Sequence, residues 1–354
     1  MSTQHHGQYK VLGGKLVRVD LTVQDGIVTV ASVNGDFFLE PDEALEDINQ
    51  ALVGLAEDTE HTVIAQRVQA AIRPDAQLFG FDADAVATAV RRAVGRATTW
   101  EDHEWEVIAP SPLPIHQHVA LDQILTEDVA AGRRKPLMRL WQWTEPAVVI
   151  GAFQSLANEV DAEGAAAHDI HVMRRISGGG AMFMEADNCV TYSLSLPRSL
   201  VDGMSTEESY PFLDDWTMDA LSRVGVEAFY QPLNDIATPQ GKIGGAAQKK
   251  VGADGLLHHV TMSYDIDADK MTQVLRIGRE KLKGKGVASA KKRVDPLRRQ
   301  TGNMTRPEIW EVMMQVFEER YGATRVELDR QTLDRAQALA EEKFLTERWL
   351  QRVP

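Results

Sequence analysis

The chain has 354 residues, of which 44% are hydrophobic and 25% are charged, and its formal net charge at pH 7 is −14. This composition is typical of a folded globular protein of about two domains, and it excludes an intrinsically disordered chain. The acidic balance argues against nucleic-acid binding over the whole surface. The strongest apolar run, residues 147–153, is too short to cross a membrane.

The single cysteine, Cys189, excludes an intramolecular disulfide and a multi-cysteine metal centre. The first ten residues are polar and carry no apolar segment typical of a secretory signal. We therefore expect a cytoplasmic protein without a membrane partner.

Residues 1–98 are predicted to form a small α/β domain. Two valine-rich stretches, 15–21 and 27–33, flank the pair Asp25-Gly26, which is a strong hairpin signal. Apolar residues at helical spacing follow. The helices are predicted at residues 45–55, 61–72 and 82–94.

A linker is predicted at residues 99–115, where three prolines within 110–114 exclude a helix interior. Residues 116–354 then form a strand-rich domain without the regular strand–helix alternation of a doubly wound sheet. Its strands are predicted at residues 137–143, 147–153, 171–176, 181–184, 190–196, 226–231, 242–249 and 256–266. Its helices are predicted at residues 119–131, 209–221, 306–321 and 329–349.

The first chemical motif is a strand end followed by two arginines and three glycines, Arg174-Arg175-Ile-Ser-Gly178-Gly179-Gly180. Glycines let a backbone approach an anion with its N–H groups, and arginines bind phosphate or carboxylate through two parallel hydrogen bonds. The motif indicates an anion site. A flexible hairpin with solvated arginines is the alternative.

The second motif places Lys242 in a glycine-flanked strand, seven residues after Asp235. An ammonium group there could hold a substrate carboxylate and neutralise charge that develops at an α-phosphate. Asp235 could orient the lysine or hold Mg²⁺. A solvent-exposed strand lysine is the alternative interpretation.

Other candidates give weaker signals. His258 and His259 are adjacent on a strand, so they point to opposite faces and cannot form a metal pair. His116 and His118 have chelating spacing but no third ligand nearby. For Cys189 the pattern favours strand packing over a catalytic thiol. Several apolar side chains could line a channel for an apolar chain or pack in the core: Trp141, Trp143, Phe153, Met182 and Phe183.

Residues 281–299 contain eight basic side chains and one acidic one. This segment predicts either a local anion site or a solvated loop within the acidic chain.

Taken in order, the motifs resemble the catalytic domain of lipoate–protein ligases, in the biotin/lipoate ligase superfamily. The segments that carry the resemblance are 140–151, 174–183, 188–193, 234–236, 241–248 and 258–259. Segments 13–20, 35–38 and 40–45 resemble the small accessory domain of these ligases, which here precedes the catalytic domain. The resemblance implies an α+β fold with a mixed β-sheet flanked by helices, plus a small N-terminal α/β accessory domain.

The resemblance also implies a two-step reaction with ATP and Mg²⁺ as cofactors. Lipoate or octanoate and ATP give acyl-AMP and pyrophosphate, and a lysine of an acceptor then takes the acyl group. The implied acceptors are the lipoyl domains of 2-oxoacid dehydrogenase complexes or the glycine cleavage H protein.

Site roles follow from the resemblance. Lys242 would be the catalytic residue, and lipoate would be bound by Lys242, Trp143 and His259. Asp235 would hold Mg²⁺. ATP and lipoyl-AMP would be bound by Arg175, Gly178, Gly179, Gly180, Ala181, Met182, Phe183, Asn234, Asp235 and Lys242.

The sequence departs from the family pattern at Asp187 and Val260, where glycine is frequent. Related octanoyl transferases use a cysteine nucleophile near the Asn-Asp pair, whereas residues 229–234 contain none. An ATP-independent octanoyl or lipoyl transferase and a non-catalytic homologue are the alternative functions. Acyl length stays open, because a hydrophobic pocket discriminates chain ends weakly.

Overall fold

The computed structural model describes residues 2–11, 13–95, 97–276 and 296–354. The chain divides into two compact units by its internal contacts. The first unit comprises Met1–Asp102 with Ser199–Asp215, and the second comprises His103–Arg198 with Trp216–Pro354. Segment Ser199–Asp215 therefore contacts the first unit, although its sequence lies within the range predicted for the second domain.

The first unit combines an antiparallel meander with a short strand pair and helices. Its strands are β1 (Ser2–Lys10), β2 (Leu16–Gln24), β3 (Ile27–Gly35), β4 (Phe38–Glu40) and β5 (Gln77–Phe79). Its helices are α1 (Ala44–Leu52), α2 (His61–Ala71) and α3 (Ala83–Val94). Strands β1, β2 and β3 pair in that order, and β4 pairs with β5.

The hairpin between β2 and β3 turns at Asp25 and Gly26, whose φ angles are 53° and 77°. Positive φ at both positions is the geometry that an Asp-Gly pair favours, so this prediction is confirmed. Strand β1 was not predicted, because only Gly7 and Tyr9 are buried along it. Gly7 is required for packing: a Cβ there would lie 2.3 Å from the carbonyl oxygen of Ala89 in α3.

Arg92 of α3 is a buried charge that satisfies backbone carbonyls across the first unit. Its Nε donates to the Gln8 oxygen at 2.8 Å, and its Nη2 donates to the Thr98 oxygen at 2.6 Å. Its Nη1 donates to the oxygens of Leu200 at 2.9 Å and Asp202 at 3.1 Å. Burial lowers the pKa of Arg92 to about 10, so the guanidinium keeps its charge at neutral pH.

The second unit contains a large mixed sheet and a small one. Its strands are β6 (Glu106–Ile108), β7 (Pro112–Leu113), β8 (Leu137–Trp143), β9 (Ala147–Ile150), β10 (His171–Arg174), β11 (Met182–Met184), β12 (Cys189–Pro197), β13 (Phe229–Gln231), β14 (Asp235–Thr238), β15 (Gly241–Val251), β16 (Gly255–Ser263) and β17 (Thr324–Val326). The large sheet has the order β13-β14-β15-β16-β12-β8-β6-β17, with β7 beside β8, and the small sheet has the order β10-β9-β11. Pairs from β13 to β8 are antiparallel, and β8, β6 and β17 are parallel.

The remaining helices are α4 (Ile115–Ala130), α5 (Leu156–Glu159), α6 (Ala162–Ala167), α7 (Thr206–Arg223), α8 (Ala268–Val274), α9 (Leu297–Gln300), α10 (Arg306–Tyr321), α11 (Arg330–Leu339) and α12 (Glu347–Leu350). A π-helical turn, Ala340–Phe344, separates α11 from α12. The boundary between the two units falls within α7. None of the helices in the described ranges is long and apolar enough to cross a membrane.

Helices cover both faces of the large sheet. Helix α4 packs on β12, β15 and β16 from one side. On the other side the ring of Tyr192 in β12 lies 4.9 Å from that of Trp216, which in turn lies 5.1 Å from Phe317 of α10. Because both faces are covered, β16 is buried along its whole length. The expected α+β fold with a mixed sheet flanked by helices is confirmed.

The C-terminal helices follow their end signals. Helix α10 begins after Thr305, which forms a capping box with Glu308, and it ends at Gly322 with φ 62°. The continuous helix predicted over residues 329–349 is instead broken, because Thr346 accepts a hydrogen bond from the Trp349 N–H and starts a new helix.

We expect Arg92→Met to destabilise the first unit by about 3 kcal/mol, because backbone carbonyl groups lose the hydrogen bonds that Arg92 donates. Arg91→Met is the matched control, since partly exposed Arg91 donates to the Glu57 and Thr59 oxygens. Hydrogen exchange of peptides from residues 2–95 measures the difference. Equal protection in both variants would contradict the assignment.

Candidate functional site

The second unit encloses a cavity of about 220 Å³ at the face of β15, β16, β12 and β8. Most of the predicted site residues line it: Arg175, Gly180, Ala181, Met182, Phe183, Asn234, Lys242, His259 and Trp143. Gly178, Gly179 and Asp235 lie directly beside these residues. The arginine–glycine turn and Lys242 therefore share one cavity, which their separation in sequence did not guarantee.

Lys242 lies near the start of β15, opposite Ala237 of β14. Its Nζ donates to Asp235 Oδ1 at 2.6 Å, and its side chain is 47% exposed. Gly245 makes room for this arrangement, because a Cβ at that position would lie 3.3 Å from Nζ. The ammonium group is thus oriented at the rim of the cavity by one carboxylate, as predicted for Asp235.

Arg175 is buried, and its guanidinium donates hydrogen bonds to backbone carbonyls of the glycine turn. Its Nη2 donates to the carbonyl oxygens of Gly178 at 2.6 Å and Gly180 at 2.9 Å, and its Nη1 donates to Val149 O at 3.1 Å. Gly179 has φ 87°, which favours glycine. Arg175 therefore shapes the turn, and direct binding of ATP by its guanidinium stays a prediction.

Arg174 is fully buried and makes backbone contacts of its own. Its Nη1 donates to Gln154 O at 2.7 Å, and its Nη2 donates to the oxygens of Leu350 at 2.7 Å and Val353 at 2.9 Å. Trp349 Nε1 returns a hydrogen bond to Arg174 O at 2.8 Å. Neither arginine of the motif is solvated, so the alternative of a flexible hairpin with solvated arginines is wrong.

A buried carboxylate, Asp122 of α4, connects the turn to the core. Its Oδ1 accepts from Arg139 Nη2 at 2.7 Å and from Ser193 Oγ at 2.6 Å, and its Oδ2 lies 2.8 Å from His259 Nδ1. Burial by itself raises the pKa of Asp122, but hydrogen bonds and charges from His259, Arg139 and Ser193 outweigh it and lower the pKa. The group is a buried carboxylate anion.

His259 has one consistent tautomer in this network. Burial lowers its pKa despite the opposing effect of Asp122, so the ring is neutral at pH 7. Nδ1–H then donates to Asp122, and Nε2 accepts from Ser177 Oγ at 2.7 Å. Ser177 also accepts from Arg175 Nε at 2.9 Å. A continuous chain of hydrogen bonds therefore runs from Asp122 to the glycine turn.

The two tandem histidines face opposite sides of β16, as predicted. His259 lines the cavity, whereas His258 has Nδ1 3.3 Å from Gln248 Nε2 and is not part of the cavity wall. His116 and His118 do not chelate: His116 contacts Gln337, and His118 contacts Arg139. Within the described ranges, no group of three or more His, Cys, Asp or Glu side chains could hold a metal ion.

Aromatic rings form one wall of the cavity. Trp141 stacks on His118 at 4.9 Å and lies 5.1 Å from Trp143. Trp141 Nε1 donates to Ser193 Oγ at 2.6 Å. Phe153, in contrast, is 70% exposed and is not part of the cavity wall.

Cys189 also lines the cavity, but its thiol is a poor nucleophile at neutral pH. Burial raises the pKa of Cys189 to about 12, and Sγ donates to Asn188 Oδ1 at 3.0 Å. A thiolate is therefore scarce at neutral pH. This agrees with the predicted packing role.

Asp187 and Arg298 are not part of the cavity wall. Asp187, where the family often has glycine, pairs with Arg306 at 2.5 Å. Of the basic segment 281–299, residues 281–295 lie outside the described residues. Arg298 pairs with Asp265 at 2.5 Å.

Sequence reasoning missed Asp122, Arg139, Ser177 and Ser193. One signal was present: Asp122 lies at helical spacing from His118 and Leu125, on the face of α4 that is otherwise buried and largely apolar. A charged residue on a buried face needs a charged partner. The partner itself could not be found from spacing, because Arg139 lies on a different element.

Residues 114–318, more than half of the chain, match the family described as Lipoyl protein ligase A/B catalytic domain. A protein of Mycoplasma pneumoniae named probable lipoate-protein ligase A is 27% identical over 241 residues, which cover 68% of this chain and 69% of that protein. Octanoyltransferase LipM of Exiguobacterium sp. is 33% identical over 141 residues, which cover 39% of this chain and 48% of that protein.

A crystal structure of lipoate-protein ligase A bound with ATP has the same fold, with a TM-score of 0.61 and 21% identity. The superposition covers 71% of this chain and 100% of that chain. The mixed sheet thus has the fold of the lipoate-protein ligase domain. The chain belongs to the lipoyl protein ligase A/B catalytic domain family.

We expect the stability of the second unit to fall below pH 6.5, by about 1.4 kcal/mol per pH unit, because of His118. Burial and the charge of Arg139 lower the pKa of His118 to about 3. Between pH 6.5 and 3, His118 therefore binds a proton in the unfolded chain but not in the folded chain. The stability present above pH 6.5 is lost as the pH falls towards 3.

Urea unfolding between pH 7 and pH 5 measures this slope. His118→Gln should reduce this slope. His171→Gln is the control, because the His171 side chain is 58% exposed, and it should leave the slope unchanged. An identical slope for wild type and His118→Gln would show that His118 takes up its proton in the folded state.

Proposed function

We propose that this chain is a lipoate–protein ligase that activates lipoate or octanoate with ATP and transfers the acyl group to a lysine of a lipoyl domain. One observation carries the proposal: Lys242 and the turn held by Arg175 line the same cavity, whose other lining residues are mostly apolar. A carboxylate with a medium-length apolar chain fits such a site, with its charged end at Lys242.

In the first step a carboxylate oxygen of the acid attacks the α-phosphorus of ATP. The bond between the α-phosphorus and the bridging oxygen breaks, and pyrophosphate leaves with that oxygen. Lys242 is placed to neutralise charge at the carboxyl–phosphate junction, and backbone N–H groups of residues 178–183 would contact phosphate oxygens. Preorganised charge of this kind contributes about 3 kcal/mol or more to lowering a barrier.

In the second step the neutral amine of the acceptor lysine attacks the acyl carbonyl. An amide bond forms, AMP leaves with the electron pair of the broken anhydride bond, and the amine loses one proton. No enzyme nucleophile is required. The buried, protonated thiol of Cys189 supports this route.

ATP use is supported by the ATP-bound neighbour of the same fold. Asp235 would supply one carboxylate to Mg²⁺, with phosphate oxygens and water completing the coordination, which is the usual way that Mg²⁺ binds in nucleotide sites. The ion would neutralise phosphate charge. Asp235 would then serve both the ion and Lys242.

The acceptors we propose are lipoyl domains of 2-oxoacid dehydrogenase complexes or the glycine cleavage H protein. The N-terminal unit is proposed to be the accessory domain of the ligase. Its role in either step is open to deletion experiments that keep Ser199–Asp215, because that segment contacts the first unit.

An ATP-independent octanoyl transferase is the second candidate, and the similarity to octanoyltransferase LipM favours it. Such an enzyme forms an acyl–enzyme intermediate on a nucleophile. Residues 229–234 hold no cysteine, and Cys189 has a raised pKa. We therefore place the ligase first.

Lys242→Ala should lower acyl-AMP formation by about 100-fold or more, because one preorganised charge is lost at the reacting junction. Lys250→Ala, an exposed lysine of the same strand, is the matched control. Mass spectrometry of acyl-AMP from lipoate, ATP and Mg²⁺ measures the effect. Equal rates in both variants would remove Lys242 from the reaction.

Acceptor lipoylation should require ATP strictly. Purified chain, a lipoyl domain and lipoate are incubated with ATP, without ATP, or with octanoylated carrier protein in place of lipoate and ATP. Product in the last reaction alone would establish the transferase. No product in any reaction with a competent acceptor would indicate a non-catalytic homologue.

A further inference from the structure

Two polar atoms in the cavity wall are buried without a hydrogen-bond partner in the described part of the chain. They are Nε1 of Trp143 and Oγ of Ser263. Trp143 is 2% exposed and Ser263 is 5% exposed, and both residues line the cavity. Buried polar groups are almost always paired, so two in one cavity indicate that a ligand supplies their partner.

These two residues lie at the same end of the sheet. Ser263 is directly opposite Cys189 on the neighbouring strand. Trp141, two residues before Trp143 on β8, is opposite Thr191, two residues after Cys189 on β12. Residues opposite each other in an antiparallel pair share a face, so Cys189 and Ser263 form one row, and Thr191 and Trp141 share the same face. Trp143, two residues after Trp141, points to that face as well.

The neighbouring polar groups of the wall are already paired within the protein. Thr191 Oγ1 lies 3.0 Å from Thr261 Oγ1, and Trp141 Nε1 donates to Ser193. The thiol of Cys189, in the same row, donates to Asn188. Trp143 and Ser263 therefore differ from the other polar side chains around them, and both have a hydrogen to donate.

The two acids of the proposed function differ at the end that enters an apolar cavity. Octanoate ends in a methyl group, which accepts no hydrogen bond and would leave both donors unpaired. Lipoate ends in a ring with two adjacent sulfur atoms, and divalent sulfur is a weak acceptor. A site with buried donors rejects a ligand that cannot pair them more strongly than a purely apolar site does.

We propose that Trp143 and Ser263 determine acyl specificity: they select the dithiolane ring of lipoate over the saturated end of octanoate by donating hydrogen bonds to sulfur. The proposal rests on the proposed function of the same cavity. The rest of the wall suits this ring, because Met182, Met184 and Met271 present soft, polarisable side chains.

The test compares kcat/KM for lipoate and octanoate in acyl-AMP formation. Trp143→Phe keeps an aromatic ring without the N–H, and Ser263→Ala removes the hydroxyl. The wild-type chain should prefer lipoate, and each variant should lower the lipoate-to-octanoate ratio about fivefold, with octanoate unchanged or improved. Trp141→Phe is the matched control. Its N–H is paired within the protein, so both acids should be affected equally.

Calorimetric binding of each acid to the full chain separates two kinds of failure. If wild type forms acyl-AMP from neither acid, the proposed function fails, and the affinity ratio still decides the specificity. Equal affinity for lipoate and octanoate in wild type would overturn the selection by Trp143 and Ser263. An affinity ratio that neither substitution changes would also overturn it.

Discussion

The buried carboxylate of Asp122 is the interaction on which the polar interior of the catalytic unit depends. It is the anion paired with Arg139, which is 1% exposed, and it accepts hydrogen bonds from Ser193 and His259 as well. A buried cation without its partner is strongly destabilising, about 3–5 kcal/mol. The same carboxylate fixes His259, which accepts a hydrogen bond from Ser177, so helix α4 is linked by hydrogen bonds to the glycine turn that Arg175 holds.

The two halves of the candidate site are consequently held in different ways. Arg175 and Ser177, both buried, hold the glycine turn by hydrogen bonds. Its backbone N–H groups are therefore oriented before any ligand binds. Lys242 lies at a half-exposed rim on the β14–β15 hairpin and has Asp235 as its described partner. In the proposed reaction, the preorganised turn would suit the fixed geometry of a phosphate, and the lysine ammonium would stabilise charge at the carboxyl–phosphate junction.

Sequence patterns predicted the elements whose signals are local. The Asp25-Gly26 hairpin follows from turn chemistry, and helix α10 and strand β8 lie at the predicted residues 306–321 and 137–143. The motifs around Lys242 and Gly178–Gly180 were found, and the resemblance they carry predicted the family. Side-chain contacts with backbone carbonyls and with residues distant in sequence were missed. Such contacts were missed because they leave no spacing pattern in the sequence. Nothing in the motif reveals the carbonyl groups that surround Arg174 and Arg175, so their burial was not predicted, and binding of ATP by Arg175 stays a prediction.

The chain Asp122–His259–Ser177 contains the residue types of a serine triad, yet its surroundings give it a different role. A nucleophilic serine needs an exposed oxygen whose lone pair is free, whereas Ser177 is 0% exposed and accepts a hydrogen bond from Arg175. Its proton is directed to His259, and its oxygen is directed to a guanidinium. The three residues therefore orient the glycine turn and provide no nucleophile. This agrees with the proposed ligase reaction, which needs no acyl–enzyme intermediate.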